Sequence, residues 1–310
     1  MNLVFLGTPE FAVPTLDALV SAGQNILEVV TQPDRPKGRH QTLMPSPVKA
    51  AALCHGLTVW QPERIRHADS VAHLRDLAPE AMVIVGYGQI IPQNVIDIAP
   101  LGIINVHASL LPELRGAAPI QWSIVRGYEK TGVTTMRIDA GLDTGDVVLK
   151  WETSIDPDET APDLSPRMAA AGANLLLETL AGLANGTLKP VPQDSARATW
   201  APILKKEDGR IDWTLPAKTI HNLIRGLQPW PGAYTMFRGQ SLHLWRSCLA
   251  ATKPNLPPGS VMEYRQGLFA VAGDGAALEI LELQLEGRKR MPGGVFANGH
   301  RLTNIEQLGK

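Results

Sequence analysis

The sequence predicts an α/β fold: a Rossmann-like, mostly parallel sheet followed by a small C-terminal OB-like β-barrel domain. Three observations carry this expectation. Short apolar runs without polar alternation recur through the first half, as in strands buried on both faces. Stretches with apolar residues at helical spacing separate them, the order of βαβ units. After Gly186 the chain breaks into short alternating runs divided by turn residues, the texture of a small antiparallel barrel of about five strands.

Taken in order, residues 2–6 (Asn-Leu-Val-Phe-Leu) read as the first buried strand, ending at Gly7. Residues 10–22 read as a helix, with Gly23 as its stop. A β-rich run at 26–30, a helix at 47–55 and a strand near 57–60 follow. Residues 82–85 and 103–106 are further buried strands, and 133–138 and 147–151 complete the sheet. An Ala/Leu-rich helix covers 166–183. The stretch 188–201 holds Pro190, Pro192 and small polar residues and reads as a tether. Beyond it lie a helix at 216–226 and strands near 242–245, 259–262, 268–271 and 277–281. The expected domains are 1–189, a linker 190–207, and 208–310.

At 310 residues the chain exceeds one ordinary core, which also favours two domains. A hydrophobic fraction of 44% and a charged fraction of 19% suit a soluble globular protein. No apolar run approaches the ~18 residues of a membrane span. Residues 1–6 lack a basic flank and are cut short by Gly7-Thr8-Pro9-Glu10, so they read as a strand rather than a signal peptide. With no transit segment, a cytoplasmic protein is expected. Cys54 and Cys248 are too few and too isolated for a disulfide framework or a zinc site. The scattered histidines show no ligand-like spacing, so no metal is expected. The first βα turn does not match G-x-G-x-x-G, and no phosphate-cradling G-x-x-x-x-G-K-[ST] is present, so no nucleotide cofactor is expected. A net charge of −1 argues against a general nucleic-acid coat but leaves room for a local basic patch.

Chemistry concentrates in Asn105-Val106-His107-Ala108-Ser109-Leu110-Leu111-Pro112 and in Asp143 of Gly141-Leu142-Asp143-Thr144-Gly145-Asp146. A carboxamide, an imidazole and a carboxylate are the groups that move an acyl group onto an amine. The amide holds a carbonyl oxygen as it gains charge. The imidazole carries a proton near neutral pH. The carboxylate orients the imidazole or takes a proton from an attacking amine. Asn105 and His107 are two apart and share one face of an extended segment. Ligands bind outside the carboxyl ends of such strands. Gly86-Tyr87-Gly88 and the 105–112 stretch both stand at expected strand ends, around one crevice.

Three stretches then carry a resemblance. They are N-V-H-A-S-L-L-P-E-L-R-G-A-A-P-I-Q at 105–121, T-Q-P-D-R-P-K-G-R-H-Q-T-L-M-P-S-P-V-K at 31–49, and G-L-D-T-G-D at 141–146. With I-D-W at 211–213 and Q-P-W-P-G-A at 228–233, the chain resembles the methionyl-tRNA formyltransferase family over nearly its whole length. The Asn/His/Ser-Leu-Leu-Pro/Asp pattern is shared by the wider class that uses 10-formyltetrahydrofolate. That class includes glycinamide ribonucleotide and aminosugar formyltransferases and formyltetrahydrofolate hydrolases. The pattern therefore points to the donor, and the 31–49 loop and second domain narrow the acceptor to Met-tRNA.

The resemblance implies formyl transfer from 10-formyltetrahydrofolate to methionine on initiator Met-tRNA, in a bacterial translation enzyme expected to act as a monomer. It implies Asn105, His107 and Asp143 as catalytic residues. Folate would be bound by Gly86, Tyr87, Gly88, Gln89, Ile90 and Ile91, with Ser109, Leu110, Leu111 and Pro112. Glycines allow close backbone approach to a flat pterin, and Ile90, Ile91 and Leu110 offer an apolar slot. Lys37 and Arg39 would contact tRNA from the 31–49 loop, expected to order on the acceptor end, and Lys205, Lys206 and Arg210 from beside the linker. Arg288, Lys289 and Arg290 form a second basic cluster. Against the family pattern, Glu113 replaces a basic residue and 200–204 lacks one lysine. Three rivals remain: a small-amine formyltransferase, a formyltetrahydrofolate hydrolase, and a non-catalytic RNA-binding module.

Overall fold

The computed structural model describes residues 1–37, 42–302 and 306–309. The chain divides into two compact units. The first comprises Met1–Gly116, Thr131–Thr153 and Ser165–Ala201, and the second Ala117–Lys130, Ser154–Leu164 and Pro202–Lys310.

The strands through the first unit are β1 (Asn2–Gly7), β2 (Asn25–Val30), the hairpin β3 (Arg35–Lys37) and β4 (Thr42–Met44), β5 (Val59–Trp60), β6 (Ala81–Val85), β7 (Ile103–His107), β8 (Arg115–Gly116), β9 (Lys130–Arg137), β10 (Val147–Ser154) and β11 (Trp200–Ala201). Seven of them form one sheet in the order β10-β9-β7-β6-β1-β2-β5. β5, β2, β1, β6 and β7 pair in parallel, and β9 runs antiparallel to β7. The sheet is thus mostly parallel, as the sequence predicts. Every position of β6 and β7 is buried, which is why their sequences show no polar alternation.

The helices are α1 (Val13–Ser21), α2 (Pro47–Cys54), α3 (Ala68–Asp76), α4 (Gln93–Ile96), α5 (Pro119–Val125), which falls in the second unit, and α6 (Ala161–Ala184). Pro166 is not the start of α6, as its sequence position suggests, but lies inside it. The helix begins earlier because Thr160 donates both its N–H and its hydroxyl to the Asp163 carboxylate, closing the first turn. Likewise, residues 188–201 are not a free tether. Val191 bridges Val147, and β11 pairs in parallel with β8. The division between units falls after Ala201, inside the stretch expected as linker.

The second unit adds α7 (Ala217–Gly226), β12 (Ala233–Phe237), β13 (Gln240–Leu249), β14 (Val261–Tyr264), β15 (Gly267–Val271), β16 (Ala277–Leu285), β17 (Met291–Pro292) and α8 (Gly293–His300). The strands form an antiparallel sheet in the order β12-β13-β16-β15-β14, with β17 on β16. Alternating burial along β12 turns one face onto a core of Ile220, Ile224, Leu244, Ile280 and Phe296. Among the described residues, no helix is long and apolar enough to cross a membrane. Both cysteines are free thiols.

Candidate active site

The reactive groups gather beyond the carboxyl end of β7, between β6 and β9. Asn105 pairs with Ile84 on one side and Met136 on the other, so its backbone is locked in the sheet. Its residue is buried, and among the described residues its carboxamide makes no hydrogen bond with protein. That amide is positioned and unspent. His107 is the last residue of β7 and is also buried. Its Nε2 lies 3.1 Å from the carbonyl of Leu114, an acceptor only, so Nε2 carries a hydrogen and donates it. Its Nδ1 faces Asp143, with Oδ2 at 3.7 Å.

Asp143 reaches the site from the loop between β9 and β10. Its backbone has φ +53°, the left-handed region that non-glycine residues rarely adopt. Gly116 holds the side chain, donating its N–H to Oδ2 at 2.8 Å. Within the loop, Asp139 Oδ1 accepts the Gly141 N–H at 3.0 Å and the Thr144 hydroxyl at 2.7 Å. A Cβ on Gly145 would stand 1.9 Å from the Arg137 carbonyl oxygen, so only glycine fits there. The structure therefore brings together the three residues that the sequence singles out as candidates.

The residues expected to hold folate divide by what they already do. Gly86 (φ +59°) and Gly88 (φ +88°) are exposed turn positions, and a Cβ on Gly88 would meet nothing within 4 Å. Ile90 is 90% exposed, an apolar side chain without a protein partner. Ile91 and Leu110 are half-buried. Tyr87, by contrast, packs inside the core, where burial raises its phenol well above the ordinary value. Its carbonyl accepts from the Thr8 hydroxyl at 3.0 Å and from Gln32 Nε2 at 3.2 Å. Gln89 spends its side chain on the 62–65 segment, accepting the Ile65 N–H at 2.9 Å. Ser109 donates its hydroxyl to the Glu113 carbonyl at 2.6 Å. Tyr87, Gln89 and Ser109 thus shape the crevice, and Gly86, Gly88, Ile90 and Leu110 remain open to a ligand.

Four site-shaping residues lie outside the segments 105–112 and 141–146 that name the reactive groups. Thr134 accepts the Leu111 N–H at 3.1 Å and donates to the Ser109 carbonyl at 2.6 Å, pinning the loop that follows His107. Lys150 donates to the Leu111 carbonyl, and the Leu111–Pro112 peptide is cis. Arg115 and Gln193 are the other two. Thr134 lies in β9 and Lys150 in β10, and the sequence marks both only as strand residues.

Of the residues expected to meet tRNA, Lys37 ends β3, and Arg39 lies outside the described residues. Lys205, Lys206 and Arg210 are exposed in the second unit, interleaved with Glu207 and Asp208. In the other basic cluster, Arg288 and Lys289 are exposed. The Arg290 guanidinium lies 3.4 Å from the Trp245 ring centre, so that charge is already stacked. Among the described residues no cluster of His, Cys, Asp or Glu is arranged to hold a metal.

Comparison with known proteins decides the family. Residues 1–180 match the family model described as Formyl transferase, and residues 203–301 that described as Formyl transferase, C-terminal domain. A methionyl-tRNA formyltransferase of Solibacter usitatus (strain Ellin6076) is 62% identical over 310 residues, 100% of this chain and 99% of that protein. One from Koribacter versatilis (strain Ellin345) is 54% identical, covering 100% of this chain and 99% of that protein. The chain belongs to the methionyl-tRNA formyltransferase family.

Solved structures agree on the fold. Methionyl-tRNA formyltransferase from Clostridium thermocellum has a TM-score of 0.56 at 18% identity, over 82% of this chain and 95% of that one. The sugar 3N-formyl transferase WlaRD, solved with dTDP and 5-N-formyl-THF, has a TM-score of 0.69 at 19% identity, over 93% and 99%. In this chain Glu113 lies 4.0 Å from Arg197, so its unexpected charge has a local counter-charge.

Proposed function

We infer that Asn105, His107 and Asp143 transfer the formyl group of 10-formyltetrahydrofolate to the α-amine of methionine on initiator Met-tRNA, producing formylmethionyl-tRNA for translation initiation. One observation carries this reading: an unspent carboxamide, an imidazole of fixed tautomer and a carboxylate converge at one strand end in a member of this family. Folate supplies the formyl group, attached at N10. Its pterin would lie against Gly86, Gly88, Ile90 and Leu110, where open backbone and unpartnered apolar surface suit a flat, hydrogen-bonding ring.

The geometry supports the following roles. Asp143 takes a proton from the attacking amine as the new C–N bond forms. Asn105 donates to the formyl oxygen as it gains negative charge, and the proton taken by Asp143 passes to Nδ1 of His107, which faces it. His107 then gives a proton to the departing nitrogen as the old C–N bond breaks. One proton enters the site and one leaves, and the Asp143–His107 approach of 3.7 Å lets the pair reset. The tRNA would be met by Lys37 and Arg39 and by Lys205, Lys206 and Arg210. Exposure of the last three supports that placement. The working unit proposed is a cytoplasmic monomer.

Transfer of labelled formyl to initiator Met-tRNA, elongator Met-tRNA and no tRNA tests the reading. Label on initiator Met-tRNA alone is expected. Formate release regardless of tRNA would replace transfer by hydrolysis, and normal turnover by Asp143→Asn would remove the proton-acceptor role.

A further inference from the structure

Asp143 combines two demands that oppose each other. Its backbone sits at φ +53°, yet its carboxylate must hold one place beside His107. A residue in that conformation stays there only when its surroundings over-determine it. The surroundings are a closed ring of contacts within the first unit. Gln193 Nε2 donates to the carbonyl of Asp143 at 2.9 Å and to that of Gly145 at 2.7 Å, clamping the loop from both sides of Thr144. Gln193 Oε1 in turn accepts from Arg115 Nε at 3.1 Å and Nη2 at 2.7 Å. Arg115 precedes Gly116, whose N–H holds the Asp143 carboxylate. The ring closes on the residue it began with.

Two features show that the ring is built rather than incidental. The Gln193 amide cannot be turned over, because a flip would aim its carbonyl at two carbonyls and its NH2 at a guanidinium. Arg115 is 3% exposed, and among the described residues it makes no ion pair. Its remaining side-chain partner is the Ser195 hydroxyl at 3.5 Å. A buried cation left with neutral partners is costly to keep. Here the charge polarises the amide it holds, strengthening the two N–H donors at the far end. β8 is fastened to the same strap, since Arg115 donates its N–H to the Thr199 carbonyl at 2.9 Å.

We propose that Arg115 and Gln193 are positioning residues for Asp143: the buried guanidinium orients the Gln193 amide, and that amide fixes the left-handed loop that presents the carboxylate to the incoming amine. The proposal rests on the reading of Asp143 as proton acceptor. Neither residue touches substrate in this account, so their effect passes through Asp143 alone.

A double-mutant cycle on the full chain tests it, by single-turnover formyl transfer to initiator Met-tRNA with kcat and KM also measured. Gln193→Ala should lower kcat by about 10- to 100-fold, the scale of a misplaced reacting group, with little change in either KM. Gln193→Glu keeps the acceptor for Arg115 but loses both donors, and should be at least as impaired. In an Asp143→Asn background, adding Gln193→Ala should change the rate by less than about twofold, because the two act as one unit. Wild-type kcat in Gln193→Ala or Gln193→Glu would overturn the proposal. So would the same loss in both backgrounds, which is what a merely structural role produces. Normal transfer by Asp143→Asn alone would instead overturn the underlying role of Asp143, and the positioning claim with it.

Discussion

Two buried threonine hydroxyls in the first unit should respond to one substitution in opposite directions. Thr134 is fully buried, and its hydroxyl serves two backbone groups, the Ser109 carbonyl at 2.6 Å and the Leu111 N–H at 3.1 Å. Ser109 and Leu111 are themselves fully buried, so no water replaces what is lost. Thr134→Val keeps the shape and strips both partners. Each stripped buried group costs about 1–3 kcal/mol, so a total of about 2–5 kcal/mol is expected after partial relaxation. At about 2–4 °C per kcal/mol for a unit of this size, melting should fall by roughly 4–20 °C. Thr15, in α1, is 1% exposed, and among the described residues its hydroxyl has no hydrogen-bond partner. Its desolvation cost is already borne in the native state, so Thr15→Val should raise stability by about 1 kcal/mol. Both side chains are β-branched, so helix propensity hardly changes. Calorimetry of the two variants reads the contrast, and amide exchange at Leu111 localises the Thr134 effect. A Thr134→Val protein melting within about 1 °C of wild type, or a Thr15→Val protein that loses stability, would refute the assignment of these costs to hydrogen-bond satisfaction.

Three further outcomes are expected. Asn105→Ala should lower kcat by about 10²–10³-fold with small effects on KM, because the amide acts on charge that develops only during reaction. Steady-state kinetics with Met-tRNA checks it, and a change confined to KM would reassign Asn105 to binding. Acidification from pH 7 to about 5 should destabilise the second unit. Burial holds both His221 and His243 below the ordinary histidine value, with Arg225 and Lys206 adding repulsion. The unfolded chain therefore takes up protons first, below about pH 6.5, so stability is full above that value and falls as pH drops toward the folded pKa values. Melting curves of wild type and His221→Gln across that window should show a shallower pH slope in the variant; equal slopes would exclude His221. Finally, Arg39→Ala should lower kcat/KM for Met-tRNA and flatten its salt dependence by about one unit of log–log slope, and an unchanged salt slope would remove Arg39 from the phosphate contacts.

The core of the first unit was legible because burial on both faces leaves an unmistakable trace. β6 is apolar throughout and β7 is apolar up to Asn105 because both are buried, and that burial also marks where the sheet ends and the crevice begins. Asn105 and His107 were legible by spacing, two residues apart on a strand, and Asp143 by its glycine-flanked loop. α5 was not read, although Pro119 sits at its first turn, because seven residues give too little periodicity. β12 was missed for a related reason: its five residues follow Gly232 and a Pro-rich turn, and their alternation was hidden by that punctuation.

The strap at 188–201 failed to declare itself on different grounds. Prolines and small polar residues describe a segment without repeating backbone hydrogen bonds, and that description is correct. What it omits is that order can come from side chains reaching backbone elsewhere. Thr199 receives the Leu114 N–H on its hydroxyl at 2.8 Å, Gln193 grips two carbonyls of the Asp143 loop, and Arg115 grips Gln193. None of these contacts has a period, and each joins residues roughly fifty to eighty-five apart in sequence. Periodicity locates elements because it reports burial of one face, whereas the geometry that aims Asp143 depends on single long-range pairs. A site read from motif letters therefore names the groups proposed to react and leaves unnamed the groups proposed to aim them, and Gln193 in an apparent tether is the case where that difference can be measured.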